Sequence, residues 1–166
     1  MEGPIEQAPG LDRLVHAIGE PPPLDQNGFL RAGALRDPAA SGLHRLTDFA
    51  TTPHGFVLLG AGGLGKTTSL ETLESCRPVP GGVVNAMVLD RSELASLLGG
   101  RPDSELIYLD ALDQAAIVDA SFLTRLRDII LRNPGCASRL RLACRPAVWR
   151  SSLASALHDL DPGFGE

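Results

Sequence analysis

Gly60-Ala61-Gly62-Gly63-Leu64-Gly65-Lys66-Thr67 is the stretch on which the fold turns. Lys66 is the single lysine among the 15 lysine and arginine residues of the chain. A sequence that uses arginine everywhere else and keeps lysine here needs a slim, flexible ammonium at this position rather than a planar fork. The string satisfies G-x-x-x-x-G-K-[ST] at every defined position, the pattern of a loop that cradles phosphate. Its flanks agree. Gly55-Phe56-Val57-Leu58-Leu59 is a short apolar run that reads as a strand, and the residues from Thr67 to Glu74 continue as a helix. Strand, glycine loop and helix follow in the order the pattern requires.

The physics of such a loop is simple. Glycines let the backbone curl around an anion and accept left-handed torsions that other residues resist. The curled amides point inward as a nest of donors, reinforced by the positive end of the following helix. Lys66 is placed to reach the β- and γ-phosphates of a nucleotide, and the Thr67 hydroxyl to hold Mg²⁺. Thr68 lies beside the α-phosphate. The expected ligand is therefore a nucleoside triphosphate, with Gly60, Ala61, Gly62, Gly63, Leu64, Gly65, Lys66, Thr67 and Thr68 as its binding positions. The alternative, a plain glycine-rich turn, is disfavoured by the flanks.

Working outward, Val83 to Leu89 reads as a second strand and Ser92 to Leu98 as a short helix stopped by Gly99-Gly100. Leu106-Ile107-Tyr108-Leu109 is a third strand, apolar enough for the buried middle of a parallel sheet. Ile117 to Arg132 reads as the longest helix, with Ile117, Phe122, Leu126, Ile129 and Ile130 facing the core, and Asn133-Pro134-Gly135 ends it. Arg139 to Ala143 is a fourth strand and Ala147 to Leu157 a closing helix. Alternating strands and helices imply a parallel sheet with right-handed crossovers. Before the loop, short helices are expected over Leu11–Ile18 and Gly42–Ala50, separated by the breaker Pro21-Pro22-Pro23. The domain reading is an N-terminal arm or linker over 1–41, partly disordered, and a core over 42–166.

Composition narrows the class. A chain of 166 residues is about one domain, and 43% apolar with 4% aromatic residues suits an Ala/Leu/Val-packed layer structure. A net charge of −5 argues against a nucleic-acid surface built on bulk charge. Cys76, Cys136 and Cys144 show no C-x-x-C spacing, which points to three buried or inert thiols in a reducing compartment. No signal segment or membrane-length apolar run is visible, so the expected location is cytoplasmic, without nucleic-acid or membrane partners.

A second acidic site follows the third strand. Asp110 ends that strand, where it can orient Mg²⁺ beside the loop or cap the next helix; Lys66 upstream favours the metal role. Asp113 and Gln114 come next. Here the sequence resembles the signal-transduction ATPases with numerous domains, the group that contains NACHT and NB-ARC modules. The loop Gly60–Thr68 is similar to theirs. Leu109-Asp110-Ala111-Leu112-Asp113-Gln114 resembles the NACHT second motif, and Arg141-Leu142-Ala143-Cys144-Arg145-Pro146 resembles the strand that ends in a polar residue, Arg and Pro. Order and spacing match over roughly residues 42–158. The resemblance implies a three-layer α/β P-loop NTPase, with a parallel sheet of four to five strands flanked by helices. It also implies ATP with Mg²⁺ as ligands, held by Thr67 and Asp110.

Two departures matter. Gln114 stands where the family usually carries Glu, and an amide orients a water without accepting its proton. Asp113 keeps one carboxylate nearby, so hydrolysis is expected to be weakened. The family's fifth strand, lid, winged helix and sensor domains do not follow, so a C-terminally truncated core is expected, whose protein partners or self-oligomer would form through regions absent here. With the family's strand order 5-1-4-3-2, the strand Gly55–Leu59 would then lie at a sheet edge.

Lys66, Asp110, Asp113 and Arg145 are the candidates for chemistry. Arg145 can sense the γ-phosphate or pair with Asp128 or another carboxylate. Trp149 reads as helix packing and His54 as a turn residue. The leading function is an ATP-driven conformational switch with slow hydrolysis, in signalling or defence as the resemblance implies. A nucleotide-binding scaffold without useful hydrolysis is the alternative, and a small phosphate-transferring kinase is less favoured for want of an arginine-rich lid segment. With no lysine besides Lys66, the guanine-reading Asn-Lys-x-Asp motif is absent and ATP becomes the default nucleotide.

Overall fold

The computed structural model describes residues 14–16, 40, 42–76, 81–102 and 104–165. The chain falls into two compact units, Met1–Phe49 and Ala50–Glu166. In the first, β1 (Leu14–His16) pairs antiparallel with β2 (Leu43–Arg45), Val15 opposite His44. Both segments were expected as helices. Leu11 and Ile18, which would complete the first helical stripe, lie outside the described residues, and an isolated helix of two turns is marginal in water. Strand pairing satisfies the backbone of both segments at once. Asp48 then accepts a hydrogen bond from the Arg45 amide at 3.2 Å, and the chain leaves β2 in a 3-10 turn over Leu46–Thr51.

The second unit is built on a four-stranded, all-parallel sheet in the order β3-β6-β5-β4, formed by β3 (Phe56–Leu59), β6 (Leu140–Cys144), β5 (Ile107–Asp110) and β4 (Val83–Asn85). The two middle strands are the most buried, as covering by helices on both faces demands. Side-chain alternation sorts them between layers. Ile107, Leu109, Leu140, Leu142 and Cys144 join one continuous core with the helices of the second half. Tyr108 points the other way and donates its hydroxyl to the Leu73 carbonyl of α1 (Lys66–Ser75), which packs over β4, β5 and β6. The result is the three-layer α/β architecture expected from the strand–helix alternation. Among the described residues β3 is paired on one side only, by β6, so the strand that feeds the glycine loop is an edge strand.

Several local readings differ from expectation, two of them through a side chain that competes for the backbone. The second strand stops at Asn85 rather than Leu89, because Asn85 Oδ1 accepts from the Met87 amide at 2.9 Å and opens a 3-10 turn over Ala86–Val88. Asp90 and Glu93 then form a reciprocal capping box at the start of α2 (Arg91–Gly99). The helix expected over Ile117–Arg132 starts only at Phe122, as α4 (Phe122–Arg132), while Ile117 and Val118 end a separate helix, α3 (Leu112–Val118). Asp119 Oδ1 takes both the amide and the hydroxyl of Ser121, at 2.8 and 2.7 Å, and breaks the ladder. The helical stripe restarts at Phe122, so Phe122, Leu126, Ile129 and Ile130 are buried as expected, whereas Ile117 is 73% exposed. The closing helix α5 runs Ser151–Leu160, later than expected, because the chain first makes a turn in which the Arg145 carbonyl accepts from the amides of Val148 and Trp149. Trp149 packs on the core ahead of the helix rather than within it.

The amino-terminal ends of the strands are tied by arginines and one aspartate. Arg141, 1% exposed, donates to the carbonyls of Ser138, Leu140 and Thr52 and lies 4.9 Å above the Phe56 ring centre. Arg139 donates to the carbonyls of Arg101, Pro102 and Glu105 ahead of β5. Buried Asp161 accepts from the Gly55 amide at 2.8 Å and contacts His54 Nδ1 at 2.6 Å. His54 is therefore a turn residue at the end of β3 remote from Gly60, as the sequence indicates. No helix of the described residues is long and apolar enough to cross a membrane.

Candidate functional site

The site gathers at the carboxyl ends of three adjacent strands, β3, β6 and β5. β3 ends at Leu59, and the Gly60 amide still donates to the Cys144 carbonyl of β6 at 3.3 Å. The chain then curls. Gly63 has φ 79° and Gly65 φ 71°, left-handed torsions that give these two positions their need for glycine. Gly65 is also the residue before α1, and no side chain caps that helix. The amides of the first turn, Lys66, Thr67 and Thr68, thus face outward without an intrahelical acceptor.

Lys66 folds back over the loop, its ammonium donating to the carbonyls of Gly60 at 2.8 Å and Ala61 at 3.0 Å. Thr67 Oγ1 donates to Asp110 Oδ2 at 2.5 Å, joining the head of α1 to the end of β5. These two oxygen donors fit Mg²⁺, which takes one or two protein oxygens and completes its shell with water and phosphate. Among the described residues no cluster of three His, Cys, Asp or Glu side chains forms a cage for a metal on its own. Thr68 is exposed, and its carbonyl accepts from Thr72 Oγ1 at 2.8 Å. Ala61, Gly62 and Leu64 are exposed loop positions.

Asp113 and Arg145 meet each other. After Asp110 the chain turns through Ala111, which has φ 60° and ψ 31° and is the one described residue other than glycine with positive φ. That torsion costs about 1–2 kcal/mol for a residue with a Cβ. It starts α3 abruptly and leaves Asp113 facing inward in the first turn. Arg145, just past β6, donates from Nε to Asp113 Oδ2 at 2.7 Å, with side chains 46% and 5% exposed respectively. Asp128, the other partner considered for Arg145, is bonded instead to Arg127 at 2.8 Å. The Arg145 guanidinium also abuts the loop, since a methyl group placed on Gly62 would lie 3.2 Å from Nη2. Gln114 is exposed in the same turn of α3.

Cys144 lies beneath this arrangement. Burial pushes its thiol up to about 11, the Asp113 charge adds to the rise, and Lys66 opposes it. Cys136 is likewise pushed up to about 11 by burial, while Cys76 is exposed, so two of the three thiols expected to be buried or inert are buried. A separate groove of about 550 Å³ runs along α2 and the end of β4, lined by Val84, Leu89, Leu97 and Arg101 among others, away from the loop.

All the sequence-derived candidates thus converge. What the sequence did not supply is the bond between Asp113 and Arg145, for which no local pattern exists. Compared with known proteins, the chain matches no family model, no curated protein and no solved structure.

Proposed function

We propose that this chain binds a nucleoside triphosphate, ATP by default, together with Mg²⁺ at the loop Gly60–Thr68, and works as a conformational switch module with slow hydrolysis. The observation that carries the reading is the 2.5 Å contact between Thr67 Oγ1 and Asp110 Oδ2. It sets a hydroxyl from the head of α1 and a carboxylate from the end of β5 side by side at the mouth of a glycine loop, which is the pair a triphosphate-bound Mg²⁺ needs. When bound, Mg²⁺ would neutralise charge on the outer phosphates. The chain's own part is to orient. Left-handed Gly63 and Gly65 turn the loop amides toward the anion, and the uncapped start of α1 adds further donors. Lys66 has only to exchange two carbonyls for phosphate oxygens. The sequence resemblance to NACHT-type ATPases agrees in the order of motifs and supports a signalling or defence setting.

A scaffold without useful hydrolysis is the second reading, and one observation favours it over rapid turnover. Gln114 cannot accept a proton, and Asp113 is engaged by Arg145, so the first turn of α3 offers no unpaired carboxylate to activate water. The test is nucleotide binding and ATP turnover of the purified chain beside Lys66→Ala and Gln114→Glu. Removing a charged donor worth about 1.5–3 kcal/mol should weaken ATP binding by roughly 10- to 150-fold in Lys66→Ala. Gln114→Glu should raise hydrolysis. Unchanged ATP affinity in Lys66→Ala would refute the assignment of the loop, and binding with no turnover in either the native or the Gln114→Glu chain would select the scaffold.

A further inference from the structure

Asp113 and Arg145 are bonded to each other, and Arg145 stands beside the apex of the loop at Gly62. Asp113 is almost wholly buried, and its Oδ2 accepts from Arg145 Nε at 2.7 Å. Nη2 of the same guanidinium stands near Gly62, 3.2 Å from where a Cβ on that residue would lie. One arginine therefore bonds a carboxylate while its guanidinium stands beside the anion-binding loop. A guanidinium has five N–H donors in a rigid fork, and it can rotate from one anion to another without changing its charge. Asp113 has no such freedom, being fixed on α3 by burial.

Deepening the nucleotide reading, on which this inference rests, we propose that Asp113 is an internal competitor for Arg145. It holds the guanidinium until the outermost phosphate of a nucleoside triphosphate takes it over, and so limits the preference for triphosphate over diphosphate. The amides of the first turn of α1 serve the inner phosphates, while the outermost one would lie between the Lys66 ammonium and the apex at Gly62 and Gly63, beside Arg145. A diphosphate offers no anion there, and the Asp113–Arg145 bond survives its binding. A triphosphate does offer one, but drawing Arg145 away strands a buried carboxylate, which is unfavourable. The exchange replaces one ion pair by another, so its two states lie close in free energy, as a switch requires. Asp113 acts through Arg145 and is a specificity-determining residue rather than a group that meets the nucleotide.

The experiment compares the affinity of ATP–Mg²⁺ and ADP–Mg²⁺ for the wild-type chain, Asp113→Asn and Asp113→Ser. It also follows the Arg145 Nε–H resonance of the wild-type chain by NMR, without nucleotide and with each. With the competitor gone, ATP should bind about tenfold tighter, the size of one charged hydrogen bond, while ADP stays within about twofold. The Arg145 resonance should move on adding ATP–Mg²⁺ and stay in place with ADP–Mg²⁺. The proposal is overturned if the Asp113 variants bind ATP no tighter than wild type, if ATP and ADP affinities shift together, or if the Arg145 resonance ignores ATP. The resonance measurement needs no variant and decides the matter even where the substitutions disturb folding. A wild-type chain that binds neither nucleotide sinks the parent reading as well, whereas one that binds ATP with an unmoved Arg145 sinks this inference alone.

Discussion

Substituting Gly55 by Ala tests how the start of β3 is held, and with it the strand that presents the loop. A Cβ on Gly55 would come within 3.0 Å of the Ala137 carbonyl oxygen and 2.7 Å from the Phe164 ring. The ring can tilt; the carbonyl belongs to the buried 3-10 turn Pro134–Arg139 and cannot. The backbone around Gly55 is equally constrained, since its amide is bonded to Asp161 and its carbonyl accepts from the Gly165 amide at 3.0 Å. Overpacking a site that cannot yield costs about 1–3 kcal/mol and reaches beyond that where backbone must move. Taking about 3 kcal/mol, and roughly 2–4 °C per kcal/mol for a chain of this size, Gly55→Ala should lower Tm by about 6–12 °C. Gly163→Ala is the matched control. Its Cβ would meet the His54 ring at 2.5 Å, but that side chain is 46% exposed and can swing into solvent. The His54–Asp161 contact is lost, at about 1 kcal/mol, while buried Asp161 keeps its bond from the Gly55 amide. Thermal and urea unfolding of both variants provides the comparison. The reasoning fails if Gly163→Ala is as damaging as Gly55→Ala, or if adding Phe164→Ala to Gly55→Ala restores stability, because the ring would then be the obstacle rather than the carbonyl.

Gly63→Ala and Gly82→Ala share a left-handed φ, 79° and 78°, with open space around the added methyl, so each should lose about 1 kcal/mol in urea unfolding. Only Gly63→Ala should also weaken ATP binding; equal affinities in the two variants would remove Gly63 from the site. Native chain treated with iodoacetamide at pH 8 should be modified at Cys76 alone by mass spectrometry, since Cys136 and Cys144 are buried with thiols raised to about 11. Their unfolded counterparts ionise near the ordinary 9.0, so these two groups support the fold below that pH and withdraw that support as pH rises toward 11. Denaturant midpoints that stay constant across that interval in the wild type, with no gain from replacing both residues by Ala, would contradict it.

Much of the candidate site was legible residue by residue. The glycine loop, Thr67 and Asp110 sit in consecutive local patterns, and each pattern states its own geometry. A strand that must deliver an acid beside the loop ends in Asp110, and the structure puts it at hydrogen-bond distance from Thr67. Other readings failed where a single polar side chain outweighed a periodic stripe. Asp119 interrupted the helix expected from Ile117 to Arg132 by bonding Ser121, so α4 starts at Phe122, and Ile117 and Val118, at the end of α3, lie on the surface at 73% and 74% exposure. Asn85 ended β4 in the same way. The segments Leu14–His16 and Leu43–Arg45 became strands because they pair with each other, a fact neither segment carries alone.

The division between chain and fold is one of range. Hydrophobic period, glycine placement and strand-terminal acids act over a few neighbouring residues, so the amino-acid order alone determined an α/β layer structure and the make-up of the loop. Which strands lie side by side depends on packing across the whole unit. Placing β6 between β3 and β5 brought Arg145 against both Gly62 and Asp113, and set buried Cys144 under the charges of Asp113 and Lys66. An ion pair between distant positions draws its energy from a shared, poorly solvated location, and such a location exists only once the sheet has formed.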